Sequence, residues 1–328
     1  MTDLIFNITR LGLLVLSFGA GQDSTTIFYR FLLDPAFRSA KLNGRNLVLV
    51  FADTGDERAA TYDHMWRIKD LCNAYGIKCI HLASAWTIEM HKKNGRSVDH
   101  ITTGFHSESW AALAAQYLRN HNLAIRRNKS CTDNLKIKPI YRWLNSFCAE
   151  LMGEKIKDHG KQNIQAYAKQ FGKIEMMIGF AKGEESRVKK AAKAGKQKWW
   201  QSIEKTFPLV DVLSMDRLEC ISYMETTPWG ACGPSMCKMC PNITKQTLVL
   251  MWLDDRASFI DWARHEKRKL KKWAPIQAAK GEANSYALGG TKDLFGELRE
   301  ALETFKDWSL EDLKEYDFKN GHCISNGY

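Results

Sequence analysis

Residues 11–25 read LGLLVLSFGAGQDST. Leu11–Phe18 is a short, unbroken apolar run, the pattern of a strand buried on both faces of a parallel sheet. It ends in Gly19, Ala20 and Gly21, small residues that let a backbone turn tightly and bring its N–H groups near an anion. Ser24 to Leu33 then reads as a helix whose positive N-terminal end points at the same place. Ser17, Ser24 and Thr25 offer hydroxyls, Gln22 sits at the turn, and Asp23 can hold a magnesium ion or position a group by hydrogen bonding. The Gly-Lys-[Ser/Thr] ending of a Walker loop and the dinucleotide GxGxxG spacing are both absent. A glycine-rich turn without a ligand is the plain alternative.

Outward from this segment the alternation continues. Asn46–Ala52 and Ile77–Leu82 read as buried strands, with a helix from about Arg58 to Tyr75 between them. Strand–helix–strand–helix–strand predicts βαβ units and a parallel sheet with right-handed crossovers. Pro139 to Met152 reads as a helix, Trp110 to Leu118 as another, Ile174–Phe180 as a further strand and Val188 to Glu204 as a basic helix. Beyond Pro208 the pattern turns helical, with helices at Asp216–Met224, Lys245–Trp273 and Thr291–Lys306 around a cysteine cluster. The expectation is an α/β fold, a Rossmann-like (HUP-type) parallel sheet flanked by helices over residues 1–210, and a mainly helical, cysteine-containing region over residues 211–328.

The 328 residues suffice for one large α/β domain plus a smaller addition, and 45% hydrophobic with 26% charged residues is ordinary for a water-soluble chain. No apolar run approaches the roughly 18 residues of a membrane span, and the N-terminus lacks a secretory layout, so a cytoplasmic protein without a membrane partner is expected. The net charge of +11 suits nucleic acid and nucleotide pockets equally.

The loop 17–25 resembles the PP-loop, SGGxDS, of ATP pyrophosphatases. Gly19 stands at the family's first serine and Ala20 at its first glycine, while Gly21, Asp23 and Ser24 match. Further segments resemble phosphoadenosine-phosphosulfate (PAPS) reductase-like proteins in the family order. FADTGDE (51–57) is similar to the FADTG-x-E turn and implies that Asp53 and Thr54 face the nucleotide. A helix-capping role is the competing reading of Asp56 and Glu57. CTDNLKIKP (131–139) is similar to CT-x3-K-I-x-P, with Lys136 the cation for phosphate. Ile178-Gly179-Phe180 with Glu184 and Arg187 resembles IGI…E-x-x-R, where Arg187 binds phosphate or merely pairs with Glu184. The closing segments around Pro208, Cys220 and Cys237-x2-Cys240 complete a resemblance that spans residues 11 to 241.

Cys237 and Cys240 are spaced to share a metal, and Cys131, Cys220 and Cys232 are available to complete the set. The related iron–sulfur enzymes carry a Cys-Cys pair where this chain has Cys131-Thr132. A [4Fe–4S] cluster is the first expectation, zinc the second and metal-free buried thiols the third. Cys72, Cys79 and Cys148 read as core residues.

The resemblance implies an enzyme that binds ATP, with Mg2+, and cleaves it between the α- and β-phosphates to adenylate an acceptor that the sequence does not name. Asp23, Lys136 and Arg187 are its expected catalytic groups. A sulfonucleotide reductase is the alternative, with Cys323 as the thiolate and His322 beside it. The runs Arg187–Trp200 and Lys267–Trp273 raise a third reading, a nucleic-acid-binding accessory, against solvated helix faces whose tryptophans pack inward.

Overall fold

The computed structural model describes residues 12–98, 100–101, 112–125, 131–193 and 195–320. Strand β1 (Gly12–Ser17) leads into α1 (Gln22–Leu33), α2 (Pro35–Leu42), β2 (Arg45–Ala52), α3 (Ala59–Ala74), β3 (Lys78–Ala83), α4 (Ala85–Lys93) and the short β4 (His100–Ile101). After α5 (Leu113–Asn120), a π-helical turn at Asp133–Ile137 runs into α6 (Lys138–Met152), α7 (Gln162–Phe171), β5 (Ile174–Ile178), α8 (Glu185–Ala192) and β6 (Ile203–Thr206). The remainder is helical: α9 (Pro208–Asp211), α10 (Arg217–Glu225), α11 (Lys245–Asp254), α12 (Arg256–Ala279), α13 (Leu294–Thr304) and α14 (Leu310–Asn320).

All five strand pairings are parallel, in the order β4-β3-β2-β1-β5-β6. The expected Rossmann-like α/β architecture is therefore present. Alternate residues of β1 face opposite layers. Leu14 and Leu16 pack with Leu49 and Phe51 against α1, α3 and α10, while Leu13 and Val15 pack with Val50 and Ile80 against α6 and α7. Each such side chain stabilises the fold by about 1.5–3 kcal/mol when fully buried. A third apolar cluster, among α5, α11, α12 and α13, holds Cys131, Cys237 and Cys240.

The chain runs outward from β1 to β4 on one side and then returns to place β5 and β6 on the other. The strand order thus reverses between β1 and β5. At such a reversal the connections leave in opposite directions and open a crevice at the carboxyl ends of the strands.

Two expectations require correction. The basic stretch 188–204 is not one helix: α8 stops at Ala192, a 3-10 turn covers Lys198–Ser202, and Ile203–Thr206 forms an edge strand. Aromatic packing decides this, since Trp199 and Trp200 stack on each other at 4.0 Å and both contact Tyr141. Likewise 245–273 divides into α11 and α12 because the Asp255 side chain accepts a hydrogen bond from the Ser258 N–H and starts a new helix.

A Cβ on Gly195 would lie 2.0 Å from Nε1 of Trp200. Gly195→Ala is expected to cost about 1–3 kcal/mol through this overpacking, read as a lower urea midpoint with unchanged slope.

Candidate functional site

The crevice between β1 and β5 is a cleft of about 180 Å³. Ser17, Gly19, Gly21, Gln22, Asp23 and Ser24 line it from the β1–α1 turn, and Ile178, Gly179 and Phe180 line it from the end of β5. Ala20 does not line it; its side chain is buried in the core and its backbone is left-handed, φ 55°. A conformation that glycine adopts freely is kept here by an alanine, at a cost of about 1–2 kcal/mol. Thr25 is also turned away, with its hydroxyl bonded to His64 Nε2 at 2.8 Å. Ser17 lines the wall, but it is Ser24 whose hydroxyl accepts from the Gly19 N–H and donates to the Gly21 carbonyl, each at 3.2 Å. Gly21, at the N-cap of α1, makes no side-chain cap, which leaves the first-turn amides without a capping acceptor.

Behind the turn stands a group of four charges. Asp23 Oδ2 accepts from Arg217 Nη2 at 3.1 Å, and Arg217 lies 3.7 Å from Glu184 Oε1. Glu184 also holds Arg187, whose guanidinium sits 4.3 Å above the Phe180 ring. Glu184 and Arg187 do pair at i, i+3, but the pair is largely buried rather than on the surface, and Arg187 lines the cleft. Burial pushes the Asp23 carboxyl up to about 6 despite the neighbouring Arg217. Its Oδ1 is buried without a hydrogen-bond partner among the described residues. Such an atom costs free energy until a donor or cation reaches it.

The turn after β2 divides its side chains between two environments. Thr54 lines the cleft, whereas Asp53 points away from it into the protein, where Oδ2 accepts from His81 and His91 and Oδ1 from Gly55 N–H and Tyr62. Asp53 therefore does not face a nucleotide. Burial opposes its ionisation, but these donors win and hold the carboxyl well below the usual range. Asp56 bonds the Ala114 N–H at 2.7 Å and so caps α5, not the helix that follows it in sequence. Glu57 is buried; its Oε1 accepts from Thr54 and pairs with Lys136 Nζ at 3.1 Å. Lys136 reaches the cleft from the π-helical turn, whose widened geometry displaces one residue relative to an ordinary helix.

The five cysteines expected to share a metal separate into two groups. Cys131, Cys237 and Cys240 line the cleft. Around them lies the Tyr117 phenol, whose pKa is held well above the ordinary value by burial and by the Cys131 thiol. Burial and the Glu57 carboxylate likewise push the Cys237 thiol up. Cys220 and Cys232 instead belong to the core between α1 and α10, where burial pushes them up to about 12 and about 11. A four-thiolate set is thus not assembled from these five residues. Among the described residues no three sulfur atoms lie within 4.8 Å of one another. A single zinc bound through Zn–S bonds of roughly 2.3 Å needs sulfurs closer than that. Cys72 and Cys148 are core residues, as expected. Cys323 and His322 lie outside the described residues.

The tryptophans of the basic stretches are largely structural. Trp262 is fully buried, Trp199 nearly so, and Trp273 Nε1 donates to the His121 carbonyl at 2.8 Å. Trp262 and Trp199 offer no ring face for base stacking as they are packed, while Trp273 is only partly buried. Lys267, Arg268, Lys271 and Lys272 remain on the exposed face of α12.

Neither Arg217 nor Ser235 is marked as a site residue by the sequence, although Ser235 opens the segment that holds Cys237 and Cys240. Arg217 belongs to an Asp216–Glu219 capping box, a pattern that signals only a helix start. Ser235 is placed by packing, since a Cβ on Gly21 would meet its hydroxyl at 3.0 Å. Compared with protein-family models, curated proteins and solved structures, the chain matches none.

A Cβ on Gly179 would lie 2.8 Å from the Ser24 backbone nitrogen. Gly179→Ala is expected to displace the start of α1, lowering stability by about 1–3 kcal/mol in chemical denaturation.

Proposed function

We propose that the chain binds ATP or a related adenine nucleotide in this cleft and cleaves it between the α- and β-phosphates, passing the adenylyl group to an acceptor. The observation that carries the reading is a convergence at the strand-order reversal: the uncapped start of α1, the buried Asp23, and Lys136, Arg187 and Arg217 all line one cleft. Helix-start amides with converging cations are the donor set that polyphosphate needs. Leu113, Ile137, Ile140 and Met239 offer an apolar wall for a purine.

In the reaction, an acceptor oxygen forms a bond to the α-phosphorus while the bond to the α–β bridging oxygen breaks, and pyrophosphate leaves with that electron pair. The chain's part is to hold the groups in line and to stabilise charge on the departing pyrophosphate. Arg187 and Arg217 would do so from the α8 and α10 sides, and Lys136 from the opposite wall. Each arrives already paired with a carboxylate, so its position is set before the nucleotide binds. The unpartnered Oδ1 of Asp23 fits a magnesium ion, which when bound neutralises phosphate charge. The three cleft thiols are one short of the usual cluster set, and this chemistry does not depend on them.

With water as the default acceptor, ATP turnover is expected to give AMP and pyrophosphate. ADP and phosphate as the only products would contradict the reading. Arg217→Gln should lower kcat/KM roughly 100-fold, the scale for losing one charge-stabilising donor. Asp23 is raised to about 6, so it gains a proton as pH falls through that value and no longer suits a cation. Mg-nucleotide affinity should accordingly decline below pH 6 towards about tenfold per pH unit. Titration calorimetry of Asp23→Asn, which should lack this limb, separates it from protonation of the nucleotide itself.

A further inference from the structure

We propose that Asp53, His81 and His91 form a buried site for one divalent first-row transition cation, separate from the nucleotide cleft. Asp53 Oδ2 lies 2.8 Å from Nε2 of both histidines, and the three ligand atoms all fall within 4.8 Å of one another. The ligands come from the end of β2, the middle of β3 and the last turn of α4. Two imidazoles with one carboxylate are a recurrent donor set for zinc and ferrous iron.

The charge balance of the site supports a cation. Asp53, His81 and His91 are 5%, 1% and 3% exposed. Aromatic rings enclose the imidazoles: Phe51 and Trp66 lie 5.0 and 5.3 Å from His81, and Tyr62 lies 4.8 Å from His91. Among the described residues the only ion-pair partners of the Asp53 carboxylate are the two imidazoles. An ionised carboxylate this deep needs a counter-charge. Either a proton shared within the triad or a metal ion held between its three ligand atoms supplies it. His81 Nδ1 lacks a partner in the present arrangement and gains none in the other, so it favours neither. A dication supplies the charge while both rings stay neutral, and it would tie β2, β3 and α4 at one point. The Tyr62 hydroxyl donates to Asp53 Oδ1 at 2.9 Å and so orients the carboxylate from its other oxygen. With no opening to the cleft, the ion would be structural, bracing the turn that presents Thr54 and Glu57.

The test uses the full chain carrying Cys131→Ser, Cys237→Ser and Cys240→Ser, so that cleft thiols cannot take the metal. Loaded with Zn2+ and desalted, it should retain about one equivalent by elemental analysis and melt several degrees higher than after chelation. His91→Gln, whose amide can still donate to Asp53, should keep the fold by circular dichroism and lose at least about tenfold in Zn2+ affinity. A folded serine variant that retains no metal, with Tm indifferent to Zn2+ and chelator, would overturn the proposal and leave a proton as the counter-charge. If the serine variant does not fold, Co2+ binding to the unaltered chain decides: nitrogen–oxygen ligand bands support the site, and thiolate charge-transfer bands alone contradict it.

Discussion

A carboxylate buried at the first turn of α1 has to be balanced, and Arg217 balances it. Asp23 belongs to the α/β sheet unit and Arg217 to α10 of the C-terminal helical region, so their 3.1 Å contact joins the two parts at the mouth of the cleft. The same junction is reinforced nearby. Ser235 packs on Gly21, Cys237 forms an antiparallel bridge with Glu57, and Arg58 pairs with Asp317 of α14 at 2.6 Å. The helical region is therefore not an appendage to the sheet unit: it builds one wall of the cleft and supplies one of its cations.

The sheet dictates the rest. A parallel sheet puts all its strand ends on one edge, and reversal of strand order at β1 puts an opening there. Two aspartates stand at this edge, after β1 and after β2, with opposite fates. Asp23 meets the cleft with one oxygen unpaired and its acidity weakened by burial. Asp53 is surrounded by four donors and kept ionised inside the protein. The first arrangement is poised for an incoming cation; the second already acts as a fixed joint. Lys136 and Arg187 are likewise held by Glu57 and Glu184, so these cleft-lining cations have their geometry set and their charge already shared.

Much of this was legible in the sequence wherever a single segment carried the signal. The apolar run of β1, its small-residue turn and the start of α1 announce themselves because this strand, buried on both faces, is apolar from Leu13 to Leu16. Cys237 was found from its C-x2-C spacing, and Cys131, Lys136 and Arg187 from the resemblance of their segments to the PAPS reductase-like pattern; all four line the cleft. Signals that depend on direction were not legible. Asp53 and Thr54 are neighbours, but adjacent residues leaving a strand point to opposite sides, and sequence alone does not say which side holds the histidines. His81 and His91 each look like isolated polar residues in apolar patterns. Cys232 and Cys237 are close in sequence, yet the first packs in the core between the sheet, α1 and α10, and the second in the separate cluster among α5, α11, α12 and α13. Trp199 and Trp200 looked like the end of a basic helix until their packing against Tyr141 ended it early.

The central claim is that the turn after β1 and the cations around it form a polyphosphate site. A crystal structure with magnesium and α,β-methylene-ATP, which resists cleavage at the bond in question, tests it most directly. The account predicts phosphate density against the amides at the start of α1, with the metal on Asp23 Oδ1 and Arg217 contacting the phosphates from its place beside Asp23. Nucleotide bound elsewhere, or an empty cleft at saturating ligand, would contradict it.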